Sequence, residues 1–76
     1  MKNMFSPPKF ASGIGFSKYD ASPAGNAFVV MGRFEEMAKK SGWSKGDIDL
    51  VLTEAMSSDY DHLIETINTH IVDDEY

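Results

Sequence analysis

The stretch "SGWSKGDIDLVLTEAMSSDYDHLIETI", residues 41–67, contains the signals of one helix end and two helix starts. Gly42 can take the left-handed conformation that closes a preceding helix. Ser44 is placed as the cap of the next helix. Asp47, three residues on, stands where a capping box usually carries Glu or Gln. Trp43 before the cap and Ile48 after it form a candidate hydrophobic staple. Ile48, Val51, Leu52 and Ala55 recur at helical spacing and predict a buried face. Leu50 and Met56 fall outside that stripe, as either a second packed surface or an exposed patch. Ser57 or Ser58 opens a third helix that runs to about Val72. Tyr60, Ile64, Ile67 and Ile71 line one face of it, with Leu63 beside them.

Working outward, a first helix is expected from Ser22–Asn26 to about Ser41. Ser22 before Pro23 is one candidate cap and Asn26 the rival. Ala27, Val30, Met31, Phe34 and Ala38 make its apolar face, which Phe28, Val29 and Met37 widen. Lys39 and Lys40 fall in its last turn, where the helix dipole favours cations. Residues 1–24 are punctuated by "SPPKF", "SGIG" and "ASPAGN", and Pro7 and Pro8 favour an extended chain. "GIGFSKY" reads as a short, glycine-weakened strand. It could pair near Phe10, pair with another subunit, or lie as an arm over the helices. The expected fold is mainly α: one domain over 1–76, with an extended or short β-strand arm (1–24), a three-helix core (25–72) and an acidic tail (73–76). Phe34, Leu52 and Ile64 are mid-stripe on their helices and are expected to be almost fully buried.

The chain has 76 residues, and a domain of this size buries only about 60–65% of its unfolded surface. Hydrophobic residues make up 42% and aromatics 12%, enough to fill one core rather than leave the chain disordered. The absence of cysteine removes disulfides, thiolate metal sites and a cysteine nucleophile, and fits a reducing cytoplasm. No apolar run approaches the roughly 20 residues of a membrane span, and "MKNMFSPPKF" is not a secretion signal. The net charge of −5 is unevenly spread. Residues 1–43 carry six basic groups against three acidic ones, whereas residues 44–76 carry Lys45 against nine acids. Such an acidic half repels phosphate backbones, so no direct contact with nucleic acid is expected. It can attract a basic protein surface, or simply keep the chain soluble.

Asp59, Tyr60, Asp61 and His62 are the densest run of polar chemistry. On a helix Asp59 and His62, or His62 and Glu65, share a face, but that is two ligands where a closed metal site wants about four. His70 lies about 12 Å further along the helix and cannot join the same shell. Acid–base catalysis would need a polarised His62 and a pocket, and Ser57 and Ser58 have no glycine elbow around them. The structural reading is a helix start: Ser58, Asp59 and Asp61 satisfy free amides and complement the dipole. Tyr60 then anchors the core with its hydroxyl at the rim. His62 latches helix 3 to a neighbour, with Asn26 the expected partner. "GIGFSK" lacks a following helix and a G-K-[ST] ending, so it is not a phosphate loop. Neither a cofactor nor a metal is expected.

"GNAF" at 25–28, Gly32, "EAMSSDYDHL" at 54–63 and Thr66 resemble a family of small uncharacterised bacterial and bacteriophage proteins. Its pattern runs G-N-x-F, a helix with a central Gly, a turn, then E-A-x-S-x-D-Y-D-H-L and a Thr before an acidic end. The resemblance covers about residues 25–75 and leaves 1–24 unmatched. It implies a small cytoplasmic protein, often carried on phages or mobile elements, and brings no established activity. A second likeness is architectural. "SGW" followed by a helix, a polar turn and a short third helix resembles the ubiquitin-associated three-helix module. That likeness implies a partner surface at Gly42, Trp43 and the exposed side of helix 3. The expected function is therefore a non-enzymatic protein-binding module, with Trp43, Leu50 and Met56 as candidate partner contacts. Rival expectations are an anti-defence inhibitor whose acidic half blocks a nucleic-acid-binding groove, a small enzyme or metal site at His62, and a homodimer through the arm.

Overall fold

A computed structural model describes residues 1–12 and 27–72. The caps expected at Ser22 or Asn26, the strand expected over "GIGFSKY" and the acidic tail lie outside these residues. Three helices are described: α1 (Ala27–Lys40), α2 (Lys45–Ala55) and α3 (Tyr60–Thr69). Each of the three packs against the other two.

Helix α1 ends as its sequence dictates. Gly42 has φ +87°, and the Trp43 and Gly42 amides donate to Ala38 O and Lys39 O at 2.9 and 3.1 Å. This is a Schellman motif, and only glycine takes that backbone without strain. Ser44 then caps α2 from an extended conformation, with its Oγ accepting from the Asp47 amide at 3.2 Å. The Asp47 carboxylate pairs with Lys9 of the N-terminal segment. Asp59 caps α3 in the same way, accepting from the His62 amide at 2.9 Å.

Two boundaries differ from expectation. Helix α3 starts at Tyr60, two or three residues after the serines, because Asp59 is the cap. It ends at Thr69 rather than Val72, because Ile71 leaves the helix to form an isolated parallel bridge with Ala11. The Ala11 amide donates to His70 O at 2.9 Å, and the Val72 amide donates to Ala11 O at 2.8 Å. Periodicity placed Ile71 on the helix; backbone pairing across the chain overrides it.

The core is built on Phe34, Val51, Ile67 and the small residues Ala11, Ala38 and Ala55, all fully buried. Phe34 and Ile64 are buried as expected. Leu52 is only partly so. On α2 the buried stripe is Ile48, Val51 and Ala55, and Leu52 sits about 100° round from Val51, at the stripe's edge. Phe28 and Val29 do not widen the core; both are exposed, whereas Met37 is buried.

Residues 1–12 lie across the helices, and no strand forms among the described residues. Phe5 stands edge-on to Trp43 at 5.3 Å and to His70 at 5.8 Å between ring centres. Trp43 in turn stands edge-on to Phe34 at 5.5 Å. Asn3 folds the segment on itself, its Oδ1 accepting from the Phe5 and Lys9 amides and its Nδ2 donating to Lys9 O. Ser12 is tied to the α1–α2 corner through Ser41 Oγ. The Ser6–Pro7 peptide is cis.

Candidate functional site

The start of α3 and the end of α2 meet at His62. Its Nε2 lies 2.9 Å from Glu54 Oε2 and 3.1 Å from Glu54 O, with Thr66 Oγ1 at 3.3 Å and Ser57 Oγ at 3.4 Å. Ser57 Oγ donates to Glu54 O at 2.7 Å. A serine, a histidine and a glutamate are therefore together. Nucleophilic catalysis needs the hydroxyl on one ring nitrogen and the carboxylate on the other, so that the base is oriented while it takes the proton. Here both converge on Nε2. That nitrogen has a single site to share, and it is engaged with Glu54. The arrangement ties the last turn of α2 to the first turns of α3, with Nε2–H donating to the Glu54 carboxylate.

The other residues of the run have separate roles. Asp59 serves the His62 backbone amide and does not orient the ring. Asp61 is exposed in the first turn of α3, where its charge complements the dipole. Glu65 pairs with the Met1 amino group. That hydrogen bond and positive charge, and then His62, hold its carboxyl below the usual range. Asn26, the partner expected for His62, lies outside the described residues. Tyr60 departs from expectation: its hydroxyl is buried and unpartnered rather than at the rim.

The three candidate partner contacts do not share one surface. Trp43 is half-buried between Phe5 and Phe34. Leu50 is 54% exposed and lines an open groove of about 330 Å³ with Met4, Gly46, Asp49, Thr53 and Glu54. Met56, 57% exposed, lines a second groove of about 270 Å³ with Phe28, Met31, Tyr60 and Leu63. Phe28 is 80% exposed. Sequence reasoning missed it as a surface residue because it continues an apolar run.

It also missed His70, which is wholly buried. Nδ1–H donates to Thr66 O at 2.8 Å, and Nε2 accepts from the Met4 amide at 2.9 Å. Both nitrogens are used, and the geometry requires the neutral ring. Burial pushes its pKa below the ordinary histidine value, against the Thr66 hydrogen bond, which raises it. An aromatic-rich arm with no other obvious partner was the only signal that could have pointed there.

Among the described residues no group of three or more His, Asp or Glu side chains is placed to hold a metal ion. No described helix is long and apolar enough to cross a membrane. Comparison with protein-family models, with curated proteins and with solved structures gives no match to this chain.

Proposed function

We propose that this chain is a non-enzymatic protein-binding module, an accessory protein of the kind carried by phages and mobile elements. The observation that carries this reading is the pair of open grooves beside α2, each bordered by large apolar side chains left in solvent, with Asp49 and Glu54 at one and Asp59 at the other. Exposed apolar patches beside polar rims are where proteins dock. The histidine cluster supports the same side of the argument, since its one engaged nitrogen ties two helices. The motif resemblance supports the phage or mobile-element setting and a cytoplasmic location.

A photo-crosslinking amino acid at Leu50 or at Met56, with Glu36 on α1 as the control position, tests the reading in host lysate. A discrete protein adduct from Leu50 or Met56 and none from Glu36 is the expected result. Equal labelling at all three positions, or none at any, sinks it. A second reading follows from the charge asymmetry: an inhibitor whose acidic half occupies a basic nucleic-acid-binding groove. In that case the adduct disappears steeply as salt is raised, because steering by exposed charges is screened.

A further inference from the structure

The groove at Leu50 has a definite chemistry. Gly46, Asp49, Leu50, Thr53, Glu54 and Ser57 recur three and four residues apart, so they form one face of α2 and its continuation. From Gly46 to Ser57 that face runs about 16 Å, close to three turns of helix. Met4, on the segment pinned to His70, forms the opposite wall. The apolar contacts are thus Met4 and Leu50, and thioether side chains adapt to irregular partners. The charged contacts are carboxylates. Glu54 is shared with His62 and Ser57. Asp49 is exposed and makes no ion pair with a described residue. Lys9 is paired with Asp47, and Lys45, one turn before Asp49, is not among the lining residues.

A groove about three turns long, with Met4 and Leu50 as its apolar contacts and Asp49 and Glu54 as its carboxylates, complements one class of partner. We propose that this groove takes a basic amphipathic helix of a partner protein. The partner's apolar residues at helical spacing rest on Met4 and Leu50, and its flanking Lys or Arg side chains face Asp49 and Glu54. Nucleic acid and anionic lipid headgroups are repelled by the same carboxylates. Gly46 lines the groove at the start of α2, and a Cβ built there meets nothing within 4 Å, so a side chain can be added at this point without disturbing the fold. The inference rests on the protein-binding reading and names the surface and the partner's chemistry.

The probe is a fluorescent designed peptide of about 18 residues with leucines at i, i+3, i+4 and i+7 and lysines elsewhere. Its controls are a scramble that destroys the stripe and a version with Glu for Lys. The striped basic peptide is expected to bind, measured by anisotropy, and both controls to bind at least about tenfold more weakly. Gly46→Leu, which fills the groove at that point, and Leu50→Glu should each weaken binding by about tenfold or more. Both should retain the helical circular dichroism of the parent. Phe28→Glu, in the other groove, should leave binding unchanged. Equal binding of the scramble, or loss with Phe28→Glu instead of Gly46→Leu, overturns the assignment. So does concentration-dependent self-association abolished by Leu50→Glu, which would give the groove to a second copy. A peptide that fails to bind while Leu50 still crosslinks to a lysate protein overturns this inference alone. Failure of both overturns the protein-binding reading with it.

Discussion

The α2–α3 hairpin and the N-terminal segment are held by opposite kinds of contact. In the hairpin, Ser44 caps through Asp47, Asp59 through His62 and Ser57 through Glu54, each pair three residues apart. In residues 1–12 the ties reach far along the chain: Met4 to His70 across 66 positions and Ser12 to Ser41 across 29. Local contacts close small loops and form with little loss of chain freedom, whereas distant ones must first close a long loop. The hairpin can therefore assemble on its own signals. The arm has to wait for a finished surface that includes Trp43, His70 and Ile71. Regions whose stability is borrowed in this way open first.

Substitutions can break that contrast in graded steps. The largest effect belongs to Phe34→Ala. The ring is fully buried, and it supports Trp43, on which Phe5 of the arm rests. A loss of about 3–5 kcal/mol in urea denaturation is expected, felt by arm and hairpin alike. A loss below about 1 kcal/mol would mean that the two regions do not share this core.

Acid should separate them. His70 is buried neutral, with its pKa lowered, so the unfolded chain takes up the proton before the folded one does. Its contribution is complete above about pH 6.5 and declines as pH falls below that value, by at most about 1.4 kcal/mol per pH unit. Protonating Nε2 also removes the acceptor of the Met4 amide. Between pH 7.5 and 5.5, the protection of the Met4 and Ala11 amides, taken relative to the intrinsic exchange rate at each pH, should fall well before that of Val51. A uniform loss of protection, or a His70 ring titrating at or above 6.5 by NMR, would contradict the latch. Glu65 acts in a different window. Its lowered pKa makes its pairing with Met1 present above about pH 4.5 and lost below it.

The caps test the hairpin alone. Asp59→Ala and Ser44→Ala should each cost about 0.5–2 kcal/mol, read as lost protection of the α2 and α3 amides, with Met4 and Ala11 still the first to exchange. His62→Ala should lower the melting temperature by the same amount in EDTA and in added zinc, because Nε2 serves Glu54. A zinc-dependent rise in the parent that this variant loses would revive a metal site. The smallest effect belongs to Leu50→Glu, expected to stay within about 0.5 kcal/mol of the parent by urea denaturation, since that side chain faces solvent.

What was legible in the sequence follows the same divide. Gly42, Ser44 and Asp59 act through atoms within a few residues of themselves, so their types and spacing announce the turns they make. Three helices and a mainly α fold follow from those signals and from the apolar stripes. Periodicity says which side chains can be buried together, but not which neighbour arrives. Leu52 was read as mid-stripe and lies at the edge; Phe28 was read as core and lies in solvent. The Tyr60 hydroxyl was expected at the rim and is enclosed. His70 carried no local mark at all, because both of its hydrogen bonds go to backbone atoms, one of them at the far end of the chain. At the candidate surface the sequence offered Leu50 and Met56, but not that they face different grooves.

The bridge between Ala11 and Ile71 gives the molecule a direction of mechanical resistance. The two segments run parallel, and residues 1–10 leave one side of the bridge while Val72 leaves the other. Force applied between Met1 and Val72 therefore pulls the segments along each other. Both hydrogen bonds, Ala11 N–H to His70 O and Val72 N–H to Ala11 O, are strained at once instead of being peeled one after the other. Force applied between Ser12 and Val72 pulls the same pair apart from one side. Stretched in an optical trap, the protein should yield at a higher force in the first geometry than in the second, with the helices untouched until the bridge has parted.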